Sequence, residues 1–517
     1  MRGVTTGINR TRSDCLRPLQ GSGGYTAKER VVRYFSGIGS GVQFGVHSSN
    51  VINLARGVVE RVFYVSSGGG LARPPQPISG VFKRLVPVKA MLCRVLRSTP
   101  IVDRDDYPGL YTGRKQSRYQ LAAESLKLRA VELRDSFVNT FVKAEKINLS
   151  KKVDPAPRVI QPRSPRFNLE VGRYLKLFEV ELCQGFKRAF GYKVVLKGLN
   201  ADQVAGQLRE NWEQFSSPVG FGLDASRFDQ HVSQDALRFE HSVYNQIFRS
   251  PELAKLLRMQ LSNTGFARAA DGGFSYRVEG CRMSGDINTG MGNCLIMSCI
   301  VLQFIIERGI RARLANNGDD CVVICEAEDL PLFDDIDKWF LDFGFTLTRE
   351  PTQTVFERLE FCQFQPVQLS TGWRMVRNPF VAMSKDATSL LPWSTPDEVA
   401  SWMGAIGTCG LSLTRGVPVW EAWYGRLVAL GRECAMATER IADSGLGYAS
   451  KGVACARVDC RARVSFYRAF GILPDAQEAL EEEYRRPLEV VGPVAMTFPE
   501  VKAIDNYENP LTQHICG

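Results

Sequence analysis

The sequence predicts a mixed α/β fold with more than one subdomain, and three observations support this. At 517 residues, the chain is long enough to bury a large core and to divide into subdomains. An apolar strand ends at Asp224, and a second apolar, β-branched run follows Asp320. Helical periodicity then dominates from about residue 396, in the segments 396–408, 417–443, 461–471 and 475–485.

Composition narrows the possible functions. The chain is 44% hydrophobic and 23% charged, as globular proteins are. Its 14 scattered cysteines indicate reduced thiols rather than a disulfide framework, and only four histidines argue against a structural zinc site. No stretch reaches the roughly 18 apolar residues of a membrane span, and the nearest, Cys294 to Ile306, predicts a buried helix. The net charge of +10 suits a polyanionic partner.

The amino-terminal third is basic and irregular. Residues 1–81 predict an extension or linker, because they are rich in Gly, Ser and Arg, and the triplet at 68–70 lacks the Gly-Lys-Ser/Thr of a phosphate loop. Residues 83–129 hold eleven Lys and Arg against four acids. This charge fits either a solvated helical face or the wall of a nucleic-acid channel.

Residues 141–170 combine basic side chains with prolines, which exclude regular helix and force a stiff, extended backbone. Basic side chains on such a backbone can meet phosphate groups without a large ordering cost. Taken alone, the segment is better explained as a basic surface loop.

Two segments place carboxylates where strands end. Asp224 ends an apolar strand, and Asp229 follows where the chain turns into a helix. Ligands commonly bind outside the carboxyl ends of strands, which favours a binding site here. Alternatively, Asp229 caps a helix that starts near Val232. Residue types that favour turns occur at Asn317, Gly318 and Asp319, which predicts a hairpin with Asp319 and Asp320 at its tip. Such a tip is either an exposed turn or a site that presents oxygens to a divalent metal.

Between them, residues 280–293 carry glycines, hydroxyls and amides that permit close backbone approach and neutral hydrogen bonding. The following residues to Ile306 predict a helix with Thr289 and Asn293 on one face, which can bind a sugar hydroxyl or can be no more than a capped helix start. Further on, residues 332–343 predict an amphipathic helix and residues 361–366 a short strand.

The order of these segments resembles the palm of viral RNA-dependent RNA polymerases. The match is closest to the tombusvirus-like plant virus replicases, including umbravirus and dianthovirus types, and covers about residues 60–490. The matching stretches are 111–115 (YTGRK), 141–146 (FVKAEK), 157–166 (PRVIQPRSPR), 280–289 (GCRMSGDINT), 318–323 (GDDCVV) and 360–363 (EFCQ).

The resemblance implies a right-hand polymerase that replicates a positive-strand RNA genome by two-metal nucleotidyl transfer. It implies fingers at 82–215 with part of 235–275, an α/β palm at 216–376, and a helical thumb and tail at 377–517. Hard Mg²⁺ ions, for which Mn²⁺ can substitute, call for carboxylate ligands. The implied catalytic and metal-binding residues are Asp224, Asp319 and Asp320, with Asp320 in a secondary role.

The same resemblance assigns the other site residues. Selection of the ribose 2′-hydroxyl is assigned to Asp229, Ser284, Gly285, Thr289 and Asn293. Binding of triphosphate or RNA is assigned to Lys143, Glu145, Lys146, Arg158 and Arg163, with Glu145 orienting Arg158 through an ion pair.

One position departs from the family pattern. The family often has a lysine after the helix near 332–343 as a proposed general acid, whereas this chain has Arg349, which holds its proton too tightly for that role. The general acid is therefore unassigned.

Partners and rival functions complete the expectations. The resemblance implies a single-stranded RNA template, nascent RNA, NTPs, self-association, and an upstream viral replicase protein whose anchors place the enzyme at cytoplasmic membranes of the host. A non-catalytic RNA-binding scaffold would explain the basic segments but not the clustered carboxylates. A reverse transcriptase usually has an aromatic residue before the paired aspartates, where this chain has Gly318.

Overall fold

The computed structural model describes residues 15–19, 29–34, 41–67, 70–151, 154–391, 395–431 and 451–486. Its α-helices are Val51–Val58, Val86–Val95, Gly113–Leu128, Pro165–Phe190, Ala201–Trp212, Phe228–His231, Gln234–Phe248, Pro251–Arg258, Thr289–Arg308, Ile336–Asp342, Pro379–Asp386, Pro396–Thr414, Trp420–Leu430, Cys460–Phe470 and Pro474–Arg485. A π-helix covers Val59–Phe63, and 3-10 turns cover Val81–Leu85, Tyr107–Leu110, Leu133–Ser136, Ala327–Phe333 and Phe356–Arg358. Helices interspersed with strands confirm the predicted mixed α/β class.

A four-stranded sheet forms the centre of the molecule. Its strands lie in the order Ala312–Asn317, Asp320–Glu326, Pro218–Ala225 and Leu347–Arg349, and every neighbouring pair is antiparallel. Asp224 therefore lies beside the hairpin tip because antiparallel pairing sets the end of one strand against the start of the next. The main hydrophobic core covers this sheet with the long helices Pro165–Phe190 and Thr289–Arg308.

The helix Thr289–Arg308 fits the predicted buried helix. It is long and apolar enough to cross a membrane by length and composition, with a mean hydropathy of 1.8, but 83% of the apolar window is buried inside the protein. All residues from Met291 to Ile305 are buried, so the apolar surface of this helix packs in the protein core.

A five-stranded sheet assembles from distant parts of the chain. Its strands lie in the order Leu16–Pro18, Gly272–Glu279, Ser262–Ala269, Val138–Val142 and Val159–Ile160, and only the pairing of Ser262–Ala269 with Val138–Val142 is parallel. The prolines around residues 155–162 leave two residues of regular strand there, which agrees with the predicted extended backbone.

The linker prediction for residues 1–81 is wrong for residues 51–63. The helix Val51–Val58 buries every residue except Ile52 and packs in a core cluster with strands of the five-stranded sheet. Its contact with the extended segment is close: a Cβ on Gly57 would lie 2.9 Å from the Pro157 carbonyl oxygen. Arg56 adds an ion pair to Asp154 at 2.6 Å. This part of the chain supports the basic extended segment.

The described carboxyl-terminal part is largely helical, as predicted. The helices Pro396–Thr414, Trp420–Leu430, Cys460–Phe470 and Pro474–Arg485 pack in a second core with the hairpin Phe364–Leu369 and Gly372–Arg377. The remaining part of the predicted helix 417–443, the tail after residue 486, Lys152 and the glycines 68 and 69 lie outside the described residues.

Two boundaries differ from prediction. The strand expected at 361–366 begins at Phe364, because Cys362 and Gln363 have φ of 54° and 66° and form a turn that no strand can contain. The helix expected at 332–343 is shortened to Ile336–Asp342, because Pro331 stands inside a preceding 3-10 turn.

Candidate active site

The three aspartates of the predicted metal site meet at one end of the four-stranded sheet. Asp320 begins its strand directly opposite Asp224, and Thr348 is opposite Asp224 on the other side. Asp319 lies in the hairpin turn, next to Gly318, whose φ of 86° favours glycine. The predicted hairpin, with both aspartates at its tip, is confirmed.

The hairpin tip is held by the side-chain amide of Asn316 and by a neighbouring helix. The Asn316 side chain donates to the carbonyl oxygen of Gly318 at 2.8 Å. The Gly318 backbone N–H in turn points at the Cys294 sulfur at 3.1 Å, on the helix Thr289–Arg308. The position of Asp319 is therefore coupled to the helix that also carries Asn293.

The electrostatics at the tip favour a bound cation. In the described residues, no lysine or arginine forms an ion pair with Asp224, Asp319 or Asp320. Partial burial, and after it the charges of Asp319 and Asp224, raise the pKa of Asp320 to about 6. This uncompensated negative charge and an all-oxygen donor set fit a hard divalent ion.

The carboxylates are not yet gathered around a metal position. Across the described ranges, no group of three or more His, Cys, Asp or Glu side chains is arranged to hold a metal ion. Asp224 and Asp320 are nevertheless cross-strand neighbours, and opposite residues in an antiparallel pair have Cα atoms about 4.5–5.5 Å apart.

Asp229 and Asn293 form the predicted pair. The Asn293 Nδ2 donates to Asp229 Oδ1 at 2.8 Å, and the Arg282 Nε donates to Asn293 Oδ1 at 3.1 Å. Burial raises the pKa of Asp229, while the Asn293 hydrogen bond and the charge of Arg282 act in the opposite direction. The alternative in which Asp229 caps the next helix is excluded, because Ser233 caps the helix Gln234–Phe248.

Ser284 and Gly285 fasten the extended basic segment to the start of the long helix. The Ser284 hydroxyl accepts a hydrogen bond from the Gln161 backbone N–H at 3.1 Å, and Pro162 pairs with Gly285 in a parallel bridge. A Cβ on Gly285 would lie 2.4 Å from the Pro162 Cα, so only glycine permits this approach.

Thr289 has a local role in the structure. Its hydroxyl reaches the carbonyl oxygens of Met283 at 2.8 Å and Asp286 at 2.9 Å. The Thr289 hydroxyl therefore donates its proton within the loop before the helix, and it can only accept a hydrogen bond from a ligand.

The predicted ion pair between Glu145 and Arg158 is confirmed. Glu145 Oε2 lies 3.3 Å from Arg158 NH1 and 2.8 Å from Lys143 Nζ, so one carboxylate holds both cations. More than half of the Arg158 side chain, 56%, is exposed. Lys146 donates to the Lys385 carbonyl oxygen at 3.1 Å, which ties the segment to the carboxyl-terminal half.

Arg163 does not belong with the phosphate-binding residues. Its side chain is fully buried and forms an ion pair with Asp286. The remaining nitrogens donate to the Ser136 carbonyl oxygen at 2.5 Å and to Asn263 Oδ1 at 2.6 Å. With its donors used and no exposed surface, the guanidinium stabilises the packing of the site and cannot reach a nucleotide.

One cavity brings the separate motifs together. Its walls include Arg158, Asp229, Ser284 and Asp319, which come from four different segments of the sequence. The cavity is also lined by Arg61, Val62, Val159, Ile160, Gln161, Arg227, Phe228, Gln230, Cys281 and Arg282.

Arg61 and Arg227 are cavity residues that sequence reasoning missed. Burial, and after it the charges of Arg227 and Arg158, lower the pKa of Arg61 to about 10, and burial also lowers the pKa of Arg227. Neither forms an ion pair within the described part of the chain. Arg61 donates to the Ala156 carbonyl oxygen at 3.0 Å. The cavity thus holds two guanidinium groups, neither ion-paired among the described residues, as well as Asp319.

Arg349 points away from the aspartates. It pairs with Leu223 in the sheet, one residue before Asp224, so its side chain lies on the opposite face. There it forms an ion pair with Asp334 at 3.1 Å and covers the Phe221 ring. This placement agrees with leaving the general acid unassigned.

Comparison with known proteins identifies the family. Residues 19–488 match the family described as viral RNA dependent RNA polymerase. Proteins named RNA-directed RNA polymerase are 44% identical to this chain in Turnip crinkle virus over 465 residues, in Melon necrotic spot virus over 472 and in Tobacco necrosis virus (strain A) over 467. These alignments cover 88%, 88% and 89% of this chain and 60%, 59% and 64% of those proteins, so the chain spans about three fifths of the curated relatives it matches. The chain belongs to the viral RNA-dependent RNA polymerase family.

Proposed function

We propose that this chain is a template-directed RNA polymerase that adds nucleotides by two-metal nucleotidyl transfer. The observation that carries the proposal is the shared cavity of Arg158, Asp229, Ser284 and Asp319. A carboxylate for metal, a network for a sugar hydroxyl and cations for phosphates are the three requirements of nucleotide addition, and they occur here around one space.

Asp224, Asp319 and Asp320 are the proposed metal ligands. Bound Mg²⁺ or Mn²⁺ ions would stabilise charge on the attacking and leaving oxygens. Asp319, at the turn and on the cavity wall, would face the nucleotide, while Asp320 lies beside Asp224 in the sheet. We therefore propose Asp224 and Asp319 as the principal ligands and Asp320 as the secondary one.

Asp229 is the proposed contact for the ribose 2′-hydroxyl. One of its oxygens is held by Asn293, and the residue itself lines the cavity. A carboxylate oxygen accepts the hydrogen bond that only a ribonucleotide can donate. Ser284, Gly285 and Thr289 shape the wall beside it through the contacts to residues 161–162 and to the loop before the helix.

The cations in and beside the cavity are the proposed triphosphate ligands. Arg158 and Lys143 share the Glu145 carboxylate, whereas Arg61 and Arg227 form no ion pair in the described part of the chain. Guanidinium groups bind phosphate oxygens through two parallel hydrogen bonds, which fixes the phosphates as well as attracting them.

We also propose the right-hand arrangement. The four-stranded sheet with its aspartates has the role of a palm, the five-stranded sheet with the basic segment has the role of fingers, and the helices after residue 377 have the role of a thumb. The amino-terminal helix Val51–Val58 belongs with the fingers in this proposal, because it packs on their sheet.

The proposed partners are an RNA template, nascent RNA, NTPs and an upstream viral replicase protein that anchors the enzyme to cytoplasmic membranes; self-association is a further proposal. The support is the family membership and the basic cavity. Flotation of the chain with membranes only when the upstream protein is co-expressed would support the anchoring partnership, and flotation without it would overturn it.

A matched pair of variants tests the activity. Purified protein with RNA, NTPs and Mg²⁺ is expected to make complementary RNA, Asp319→Ala is expected to abolish synthesis, and Asp334→Ala is expected to leave it unchanged. Asp334 is a suitable control because it is 69% exposed and pairs with Arg349 on the other face of the sheet. RNA binding without synthesis by the unaltered protein would instead support the scaffold function. Preference for dNTPs over NTPs would support a reverse transcriptase.

A further inference from the structure

A buried ion pair lies behind the residues proposed to contact the ribose. Arg282, in the loop before the helix Thr289–Arg308, pairs with Glu240 on the helix Gln234–Phe248, and both side chains are 0% exposed. Tyr244 OH and Asn288 Nδ2 also donate to Glu240, at 2.9 Å and 2.7 Å. A buried charge held by this many donors cannot change position without leaving groups unsatisfied.

The pair determines how Asn293 is oriented. Arg282 is only a donor and the Asp229 carboxylate is an acceptor, so the Asn293 amide must direct its oxygen to Arg282 and its nitrogen to Asp229. The distances, 3.1 Å from Arg282 Nε to Asn293 Oδ1 and 2.8 Å from Asn293 Nδ2 to Asp229 Oδ1, agree with this orientation. Within the described residues, Asp229 Oδ2 has no hydrogen-bond partner and remains available to the cavity.

Gly292 makes room for this arrangement. A Cβ at this position would lie 2.4 Å from Glu240 Oε1 and 2.5 Å from Arg282 NH2. The helix that carries Asn293 can therefore approach the ion pair only with glycine at residue 292. These four residues, from Glu240 through Arg282 and Asn293 to Asp229, form one chain of hydrogen bonds that ends at the cavity.

We propose that Arg282, fixed by Glu240, is a positioning residue that sets the preference for ribonucleotides over deoxyribonucleotides by orienting Asn293 and Asp229. The inference rests on the proposed polymerase function. It concerns the ratio of two activities, whereas the proposed function concerns whether activity exists, so the two fail in different experiments.

Arg282→Lys separates orientation from charge. Lysine can keep the pairing with Glu240, but its single ammonium cannot also reproduce the Nε hydrogen bond to Asn293. We expect the ratio of kcat/KM for a complementary NTP to that for the matching dNTP to fall by about tenfold or more, mainly through loss of NTP efficiency. The assay is single-nucleotide addition to an RNA primer–template by the full chain.

Arg374→Lys is the matched control. Arg374 is 1% exposed and pairs with Asp202 at 2.6 Å in the second core, outside the cavity. We expect it to lower thermal stability without changing the ratio. If Arg282→Lys does not fold, Gly292→Ala displaces the same pair sterically and is expected to lower the ratio in the same direction. An unchanged ratio, or an equal loss of efficiency for both nucleotides, in a folded variant of either kind would overturn the proposal.

Discussion

Replacement of Arg163 by methionine distinguishes a buried structural arginine from a phosphate ligand. Methionine keeps much of the volume but leaves the Asp286 carboxylate buried without its partner, and it removes the donors to Ser136 and Asn263. Breaking one partner of a buried ion pair costs about 3–5 kcal/mol. Arg163 and Asp286 side chains are 0% and 2% exposed, so solvent cannot screen this loss.

Arg158→Met is the matched comparison. The Arg158 side chain is 56% exposed, so the change is expected to alter the free energy of unfolding by no more than about 0.5 kcal/mol and to raise the KM for NTP several-fold. Arg163→Met is expected to lower the denaturant midpoint followed by tryptophan fluorescence, while the folded fraction keeps its KM for NTP within about twofold. The reasoning is refuted if Arg163→Met unfolds at the midpoint of the unaltered protein and raises the KM as much as Arg158→Met.

Three further predictions follow from the site. The folded pKa of Asp320, about 6, lies above its ordinary value of about 4, so its contribution to stability is complete below pH 4 and is lost as the pH rises from 4 to 6. In EDTA, the melting temperature of the unaltered protein should therefore fall more steeply between pH 4 and 6 than that of Asp320→Asn, and parallel curves would contradict this. Gly285→Ala forces the backbone of Pro162 away from residue 285. The rate of nucleotide addition should therefore fall by about tenfold or more while RNA affinity is retained, and a normal rate would show that the contact is dispensable. Arg61→Met should raise the KM for NTP several-fold in steady-state assays with little change in kcat, whereas a changed kcat at constant KM would place Arg61 outside the phosphate set.

Local sequence signals predicted the elements that carry the aspartates. The hairpin and the helix Thr289–Arg308 were predictable because turn residues, β-branched runs and a long apolar stretch act over a few neighbouring positions. Their convergence was predicted by resemblance to a family and not by local pattern. The antiparallel register that sets Asp224 against Asp320 connects residues almost a hundred positions apart.

Long-range packing explains what sequence reasoning missed. The helix Val51–Val58 lies in a glycine- and arginine-rich stretch that gives no clear helical signal. It is stabilised by packing on the strands Val138–Val142 and Ser262–Ala269, which lie about 80 and more than 200 residues further along the chain. Arg163 looked like a free cation because its partner Asp286 is 123 residues away. Arg282 and Glu240 are separated by 42 residues, and no periodicity marks either as part of the site.

The most direct test of the account measures RNA affinity and single-nucleotide addition in the same samples of unaltered protein and Asp319→Asn. The account predicts equal RNA affinity and a loss of addition by about a hundredfold or more in the variant, because Asp319 is the proposed metal ligand on the cavity wall. Addition within tenfold of the unaltered protein would contradict the assignment of the hairpin tip as the catalytic centre.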